Sequence, residues 1–323
     1  MDGLLVIDKP AGPTSHEVVA VVRRALGERR VGHTGTLDPL ATGVLPLVLG
    51  RATRLARFLS AGDKAYEATI ALGVATDTGD SQGAPIGTAS VGPWPSRDAI
   101  DAALNAYRGT FLQRPPAFSA KKIAGKRSYA LARRATRAGA ATGAGGTNVR
   151  SGAAVLDAPA PVNVSTRAIE IVDVIDNRMT LRLECSAGFY VRSLAHELGE
   201  RLGTGAHLVS LRRTRSGDLT SDDAVGLDVV DRDPARATRA VIPLSRMLPG
   251  LVAVTLTREG VHRAMHGRDI RPQDMVPGVQ EVQAVPEIPK ARPVRLMDDG
   301  GELVGIAVSS RTPGLLHPDV VLK

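Results

Sequence analysis

Apolar and polar residues alternate with strand spacing in several parts of the chain. From Tyr66 to Leu72 every second residue is apolar, which is the pattern of a strand with one buried face. Shorter apolar runs without alternation are typical of strands that are buried on both faces. The segments that we expect to be strands are 4–7, 44–49, 64–72, 167–174 and 179–186, the last two joined by a turn at Asp176 and Asn177.

Three segments have the spacing of helices instead. Thr14 followed by Glu17 matches a capping box, and an apolar stripe leads from there to Gly27, a residue type that commonly ends helices. A second apolar stripe covers 191–202, and a shorter helix is expected over 96–107. Strands and helices in this irregular order predict an α+β fold rather than a doubly wound parallel fold.

The chain has 323 residues, which favours two domains. A proline-containing stretch at 231–249 is interpreted as a linker, so we expect a catalytic domain over 1–245 and a small domain over 246–323. Residues 138–161 are rich in Ala, Gly and Thr without periodicity and are expected to form a flexible loop. The spacing of the strand-like pieces 251–256, 294–297 and 303–308 predicts a small β-barrel.

The charge of the chain is strongly positive and unevenly distributed. Its formal net charge is +8, and residues 102–156 contain no Asp or Glu but ten Lys and Arg. Ten positive charges without a counter-charge favour a polyanionic partner, so the segment 108–150 is a candidate for contacts with RNA phosphates. The candidate phosphate contacts are Lys121, Lys122, Lys126, Arg127, Arg133 and Arg134.

Several classes of protein are disfavoured by composition. A single cysteine, Cys185, allows no intrachain disulfide and no cysteine cluster, which fits a reducing cytoplasm. We expect none of the seven histidines to form a ligand pair and predict no metal site. No apolar stretch approaches the roughly 18 residues that span a bilayer, and the acidic start of the chain is not that of a signal peptide.

The densest local motif, residues 31–50, carries a candidate catalytic carboxylate. Asp38 lies in a glycine-rich loop before an apolar run, and Pro39 keeps it out of the right-handed helical region. An Asp-Pro pair in a loop is most often an ordinary turn, so the motif by itself leaves both interpretations open. No Lys-Ser or Lys-Thr follows the glycines, which excludes a nucleotide-binding P-loop.

Two further residues are candidates for the same site. Arg192 lies in the first turn of its predicted helix, where the helix dipole disfavours a cation, and it lies off the apolar stripe. It is either a solvent-exposed arginine or a fixed partner for a buried carboxylate or a phosphate. Tyr66 is either a core residue or, if it faces a cleft, a ring that stacks on a base and offers a hydroxyl for proton transfer.

At these residues the sequence resembles the bacterial tRNA pseudouridine-55 synthase family. The resemblance covers roughly the first 215 residues in five ordered blocks, of which the one containing GHTGTLDP is the most specific. The blocks are LLVIDKPAGPTSH, GHTGTLDPLATGVLPLVLG, KAYEATIALGVATDTGD, QRPPAFSAKKIAGKRSYALAR and CSAGFYVRSLAHELGERLGTGAHLVSLRR.

The resemblance implies a pseudouridine synthase fold, namely a mixed, largely antiparallel sheet with flanking helices, followed by a PUA-type RNA-binding domain. It implies that Asp38 is the catalytic aspartate, that Arg192 pairs with it, and that Tyr66 packs on the target base. It also implies isomerisation of uridine 55 in the T loop of tRNA after base flipping, without a cofactor. Residues implied around the substrate are His33, Tyr190, Leu211 and Lys9, and Lys9 and Pro10 match a motif that packs beside the active-site loop.

The sequence departs from the family pattern at two places, and three rival functions remain open. Phe118 stands where the family commonly has Tyr, and the loop at 138–161 is longer than usual. The rivals are a synthase acting on another RNA, a non-catalytic tRNA-folding chaperone and an aspartate-based glycosidase. We expect tRNA as the partner of a cytoplasmic monomer, with no membrane and no obligatory protein partner.

Overall fold

The structure, a computed structural model, describes residues 1–116, 160–277 and 293–322, and the backbone of 122–123 and 126–127. Its strands in chain order are β1 (Gly3–Lys9), β2 (Val31–His33), β3 (Thr42–Leu49), β4 (Lys64–Leu72), β5 (Ala75–Thr76), β6 (Pro85–Ile86), β7 (Gly109–Gln113), β8 (Lys122–Ile123), β9 (Lys126–Arg127), β10 (Val162–Ile175), β11 (Arg178–Cys185), β12 (Ala206–Ser216), β13 (Leu219–Thr220), β14 (Ala224–Gly226), β15 (Ala253–Thr255), β16 (Val294–Met297), β17 (Leu303–Ser309) and β18 (Leu316–Val321).

The described α-helices are fewer and mostly short. In chain order they are α1 (Ser15–Leu26), α2 (Ala56–Ser60), α3 (Arg97–Leu104), α4 (Val191–Arg201), α5 (Leu227–Arg232), α6 (Pro234–Arg239) and α7 (Arg258–Met265). Short 3₁₀-helices are found at Gly50–Leu55, Asn105–Tyr107, Ser221–Asp223, Leu244–Arg246 and Pro272–Asp274. None of the described helices has both the length and the apolar character that a membrane crossing requires.

A large mixed sheet organises the first part of the chain. Its strand order is β14-β1-β3-β12-β4-β11-β10-β7, with β2 also paired to β3 and β13 to β12. Most neighbours are antiparallel, whereas β1 with β14 and β3 with β12 are parallel. The predicted α+β class with a mixed, largely antiparallel sheet is therefore confirmed, and the five expected strands are all present.

The capping box and the terminal glycine that the sequence predicts for α1 are both present in the structure. The Thr14 side chain accepts a hydrogen bond from the Glu17 backbone N–H at 3.2 Å, and the Glu17 carboxylate accepts one from Thr14 N–H at 2.6 Å. Gly27 ends the helix with φ at 62°, a left-handed conformation that glycine adopts at low cost. The buried residues of α1 join the main core, which also takes in α3, α4 and the apolar positions of the sheet.

The segment 231–249 is not the linker that its prolines suggest. It contains the end of α5 and all of α6, two short helices that pack against α1. Ile242 then forms a β-bridge with Leu4. The interpretation as a linker was wrong because helices of six residues, such as α5 and α6, are too short to show a recognisable apolar periodicity.

The C-terminal residues form a small sheet that packs on the large one. Its strand order is β15-β16-β17-β18, and α7, which the strand spacing did not predict, packs on β17 and β18. An apolar cluster joins the two sheets, with Leu4, Val48 and Leu55 on one side and Ile306 and Leu322 on the other. A small C-terminal sheet domain is thus present. The described part of the expected β-barrel is this four-stranded sheet.

Two expectations are left as predictions. The division at residues 245 and 246 stays a prediction, since the apolar cluster runs across it. The loop at 138–161 lies outside the described residues except for its last two positions.

Candidate active site

The loop that carries Asp38 connects β2 to β3 and is held by side chains from neighbouring elements. Ser15, at the start of α1 and 2% exposed, hydrogen-bonds to both main-chain groups of Leu37. Leu37 N–H donates to Ser15 Oγ at 2.9 Å, and Ser15 Oγ donates to the Leu37 carbonyl at 3.0 Å. The residue immediately before Asp38 is therefore fixed to the helix, which limits where the carboxylate can lie.

Lys9 fixes the other side of the loop. Its side chain is completely buried at the end of β1, and its ammonium donates to the carbonyls of Pro10, Pro39 and Ala41 at 3.0, 3.3 and 2.7 Å. Burial lowers the pKa of Lys9 to about 8, while the charge of Asp38 acts in the opposite direction. Lys9 therefore lies beside the loop, as the resemblance implied, and uses all three of its N–H groups there.

Arg192 forms an ion pair with Asp38. Its Nε donates to Asp38 Oδ2 at 2.8 Å and its Nη2 to Oδ1 at 3.3 Å, a two-point contact. The Arg192 side chain is 6% exposed, whereas that of Asp38 is 35% exposed. The arginine is thus the buried partner, and the carboxylate retains an open side that a substrate could reach.

A second carboxylate, which sequence reasoning missed, lies beside the same arginine. Asp80 Oδ2 is 3.9 Å from Arg192 Nε, and Asp80 Oδ1 accepts hydrogen bonds from Thr78 Oγ1 at 2.7 Å and Gln82 N–H at 3.1 Å. Arg192 Nη1 also donates to the Thr78 carbonyl at 2.8 Å. The available signal was the TDTGD sequence at 76–80, which resembles an ordinary polar turn until its burial is known.

Tyr66 lies on β4, opposite Leu183 of β11 and Arg213 of β12. Burial raises the pKa of its phenol above the ordinary value, the charge of Asp38 adds to this, and the charge of Arg213 opposes it. Tyr66 therefore lies within electrostatic reach of Asp38 and keeps its proton at neutral pH.

The remaining predicted substrate residues lie on elements around this site. Leu211 is buried on β12, and its carbonyl accepts a hydrogen bond from Thr42 Oγ1 at 3.4 Å. Tyr190 precedes α4, two residues before Arg192. His33 ends β2 and contacts His16 edge to face, with ring centroids 5.6 Å apart.

Gln113 is a further residue that sequence reasoning missed. It is fully buried at the end of β7. Its amide accepts a hydrogen bond from Tyr190 N–H at 2.8 Å and donates one to the Tyr190 carbonyl at 3.0 Å. Next to it, Ser193 Oγ donates to the Arg114 carbonyl at 2.8 Å. The first turn of α4 is thus fixed to the strand from which the basic segment continues.

Most of the basic segment lies outside the described residues, which include it only at 108–116 and as the backbone of 122–123 and 126–127. The side chains of all six candidate phosphate contacts and of Phe118 lie outside the described residues. The six contacts are Lys121, Lys122, Lys126, Arg127, Arg133 and Arg134. Their role in RNA binding stays a prediction.

One expectation about histidines was wrong. His262 and His266 lie four residues apart on α7, with ring centroids 4.4 Å apart, so a pair with the spacing of metal ligands does exist. Among the described residues, no group of three or more His, Cys, Asp or Glu side chains has an arrangement that could hold a metal ion.

Comparison with known protein families identifies the family of this chain. The family model described as TruB family pseudouridylate synthase, N-terminal domain, matches residues 23–142, and that described as tRNA pseudouridylate synthase B C-terminal domain matches 192–248. The chain belongs to the TruB family of pseudouridylate synthases. The resemblance stated from the sequence motifs is confirmed, and with it the assignment to a family of isomerases.

Relatives within the TruB family match most or all of the chain. The tRNA pseudouridine synthase B of Solibacter usitatus is 39% identical over 324 residues and is covered completely, as is this chain. That of Aromatoleum aromaticum is 40% identical over 269 residues, covering 83% of this chain and 80% of the relative. That of Burkholderia mallei is 38% identical, covering 99% of this chain and 96% of the relative.

Solved structures agree with the TruB assignment at the level of the whole fold. A chain from an H/ACA RNP bound to a substrate RNA containing 2′-deoxyuridine matches with a TM-score of 0.68 at 25% identity, covering 99% of this chain and 85% of that chain. A chain from an archaeal box H/ACA sRNP complex also matches with a TM-score of 0.68 at 25% identity, covering 99% and 86%. Both matches extend through the small C-terminal sheet domain.

Proposed function

We propose that this protein is a tRNA pseudouridine synthase that isomerises uridine 55 of the T loop, with Asp38 as its catalytic carboxylate. The observation that carries the proposal is the environment of Asp38. Its two oxygens are bound by a buried arginine at 2.8 and 3.3 Å, yet 35% of the side chain is exposed. Prepositioned charge of this kind, open to a substrate on one side, is what catalysis by a carboxylate needs.

The reaction breaks the bond from ribose C1′ to base N1 and forms one from C1′ to base C5. C5 loses its proton and N1 regains one, so atoms and electrons balance without a cofactor or an external oxidant. Asp38 can serve either as a nucleophile at C1′ or as a base that removes the C2′ proton. Arg192 balances the charge of the carboxylate and fixes its direction in both routes.

The target base must leave its stack before Asp38 can reach the sugar. Extrusion of a nucleotide costs a few kcal/mol, which a stacking contact with an aromatic ring can offset. We propose that Tyr66 supplies this ring and, since burial raises its pKa, that its protonated hydroxyl donates a hydrogen bond or relays a proton. Pocket residues in the proposal are His33, Tyr190, Leu211 and Lys9.

The electrostatic part of the proposal concerns the basic segment 108–150. Its ten Lys and Arg residues, with no Asp or Glu among them, would bind tRNA phosphates, which makes affinity fall steeply with salt. Reversal of charge at Arg133 and Arg134 should weaken tRNA binding and reduce the salt slope. The same changes at Arg236 and Arg239, which lie on the exposed side of α6, serve as the control, and equal effects would remove 108–150 from the RNA site.

The proposal also includes a bacterial cytoplasmic location and action as a monomer. The location is suggested by the single Cys185 and by the substrate.

The central test of the proposal is incubation of a T-arm stem-loop with wild type and with Asp38→Asn, followed by detection of pseudouridine. We expect conversion by the wild type, none by the variant, and unchanged binding of the stem-loop.

Two controls sharpen this test. Asp176→Asn makes the same chemical change in an exposed turn, where φ is 51° and asparagine is well tolerated, so its activity should match the wild type. A stem-loop with cytidine at the target position should remain unmodified. Full activity of Asp38→Asn contradicts the proposal and favours a folding chaperone, while free uracil in the mixture indicates a glycosidase.

A further inference from the structure

The structure contains a buried cation that the proposed reaction does not use. Arg213 of β12 is 1% exposed. It donates from Nε to the Val44 carbonyl at 2.7 Å and from Nη2 to the Gly35 carbonyl at 3.1 Å. Both acceptors are main-chain carbonyls rather than carboxylates. Burial of a charged guanidinium costs desolvation free energy, which its hydrogen bonds must offset. We therefore look for its role in the segments that these hydrogen bonds hold in place.

The two carbonyls belong to opposite ends of the loop that carries Asp38. Gly35 lies three residues before Asp38, and Val44 lies six residues after it in β3. The planar guanidinium, with its donors in a fixed fork, can join two acceptors at a set separation, which a lysine ammonium on a flexible stem cannot do equally well. Arg213 therefore closes the base of this loop, whereas Lys9 and Ser15 hold its interior.

One glycine makes room for the strand of Arg213. A Cβ on Gly43 would lie 2.2 Å from the Arg213 carbonyl oxygen, and the φ of Gly43 is 97°, so only glycine is compatible with the parallel pairing of the two strands there. Gly35 also lies against Arg213, where a Cβ would be 3.4 Å from Nη1. The loop of Asp38 therefore packs on Arg213 through both of these glycines.

Arg213 also contacts the second half of the site. It is the cross-strand neighbour of Tyr66, as Leu211 is of Ala68, and directly opposed residues in antiparallel strands project from the same face. Its charge acts on the Tyr66 phenol. One side chain is therefore connected both to the loop of the carboxylate and to the strand of the tyrosine.

We propose that Arg213 is a positioning residue, whose fork of donors sets the location of the Asp38 carboxylate relative to Tyr66. The inference rests on the proposed catalytic role of Asp38. A displacement of about 1 Å in a reacting group can reduce a rate about 100-fold. Loss of Arg213 should therefore lower the rate of the chemical step on the order of 100-fold and leave the affinity for tRNA within about threefold.

The test is single-turnover conversion of a T-arm stem-loop by Arg213→Met and Arg213→Lys, with the dissociation constant and the melting temperature measured in parallel. Arg212→Met is the matched control. It changes the neighbouring arginine of the same strand, whose side chain is 42% exposed and pairs with Asp8. We expect Arg213→Lys to lose nearly as much rate as Arg213→Met, because it keeps the charge but not the fork.

A second pair of variants covers the case in which neither Arg213 variant folds. Gly35→Val extends a branched side chain from a Cβ that would already lie 3.4 Å from Arg213 Nη1, while Gly32→Val extends from a Cβ whose nearest neighbour is Val48 Cγ2 at 3.8 Å. Gly35→Val should reduce the chemical step several-fold at unchanged melting temperature and affinity, and Gly32→Val should not.

The outcomes separate this inference from the proposed function. Wild-type and Asp38→Asn proteins are assayed alongside, so an inactive wild type or an active Asp38→Asn overturns the function itself. If these behave as expected, a wild-type rate in the Arg213 and Gly35 variants overturns only the positioning role. A loss of rate that is explained entirely by the unfolded fraction of a variant likewise overturns only the positioning role.

Discussion

The Asp80 carboxylate lies 3.9 Å from the Nε of Arg192, and both side chains are almost fully buried, at 8% and 6% exposure. The arginine is therefore placed between an inner carboxylate and the more exposed Asp38. The inner carboxylate is itself fixed by Thr78 and by the backbone of Gln82. Arg192 thus has a defined position before any substrate binds, which is the condition for electrostatic preorganisation.

This relationship predicts the effect of Asp80→Asn. The variant removes the inner charge but keeps an oxygen that can accept the bonds from Thr78 and Gln82, so Arg192 loses electrostatic restraint without a change in shape. We expect the chemical step to slow by about tenfold, equivalent to about 1.4 kcal/mol of activation free energy. The affinity for the stem-loop should be unchanged, because Asp80 is buried.

Single-turnover kinetics measure this effect. Asp77→Asn is the control, since Asp77 lies in the same turn, is exposed, and accepts a hydrogen bond from Ala84 N–H at 2.8 Å. A wild-type rate for Asp80→Asn contradicts the assignment of this carboxylate to the support of Arg192.

The partners of this site differ in how far the sequence could predict them. Asp38 stood out because a proline and several glycines surround it, and Arg192 because a cation in the first turn of a helix is unfavourable unless it has a partner. Asp80 did not stand out. An aspartate in a Thr- and Gly-rich turn is common on surfaces, and only the packing of that turn against α4 and β12 makes it buried.

The same contrast applies to the fold. Local signals predicted the extents of β4 and α1 closely, since alternation and capping act within a few residues. The contact of β3 with β12 could not be predicted, because it joins Gly43 to Arg213 across the sequence and depends on the packing of the entire sheet. Arg213 therefore looked like one more basic residue near the end of a motif.

Lys9 provides a prediction about stability and pH. Its pKa is about 8 in the folded protein, against 10.5 for a lysine that is free in water, so between these values the unfolded chain binds one more proton than the folded chain. Stability from this group therefore rises as pH increases from about 8 towards 10.5, because the cost of burying the charge disappears.

The measurement is the free energy of unfolding by urea at several pH values for wild type and Lys9→Met. The difference between the two proteins cancels the groups they share, and it should shift in favour of the wild type across this window. Parallel curves would mean that Lys9 is not buried as an ammonium. The activity of the wild type should fall as pH rises through this window, since the neutral amine has only two N–H groups for the three carbonyls.

The hydrogen bonds of Gln113 predict a link between α4 and β7, the strand at the start of the basic segment. Gln113→Met keeps the length of the side chain but removes both the acceptor of the Tyr190 N–H and the donor to the Tyr190 carbonyl. An intramolecular hydrogen bond contributes about 0.5–1.5 kcal/mol, so loss of the two bonds should lower the free energy of unfolding by about 1–3 kcal/mol. The rate of the chemical step should fall as well, because Tyr190 and Arg192 share the first turn of the helix.

Urea denaturation and single-turnover assays check both parts of this prediction. Asn163→Met is the matched control, since Asn163 is exposed on the partner strand and pairs with Leu112, next to Gln113. Equal stability of the two variants would argue that the hydrogen bonds to Tyr190 contribute nothing.

The junction of the two sheets predicts that the small C-terminal domain stabilises the catalytic domain directly. Arg51 Nη1 donates to the Leu322 carbonyl at 2.9 Å, Arg54 donates to the Val321 carbonyl, and Arg57 pairs with Asp319. Leu322 itself is 1% exposed and belongs to the apolar cluster that contains Leu4, Val48 and Leu55. The last strand is therefore anchored to the large sheet by both polar and apolar contacts.

Leu322→Ala should accordingly lower the free energy of unfolding by about 2–5 kcal/mol, the usual cost of such a truncation in a packed core. Because the cluster spans both sheets, the loss should appear in one cooperative transition that is followed equally by circular dichroism and by the fluorescence of Trp94, which packs against the large core. Val252→Ala, at a residue that is 58% exposed, should change little. Two separate transitions, with Trp94 unaffected by Leu322→Ala, would mean that the C-terminal sheet folds independently and that this junction adds no stability to the catalytic domain.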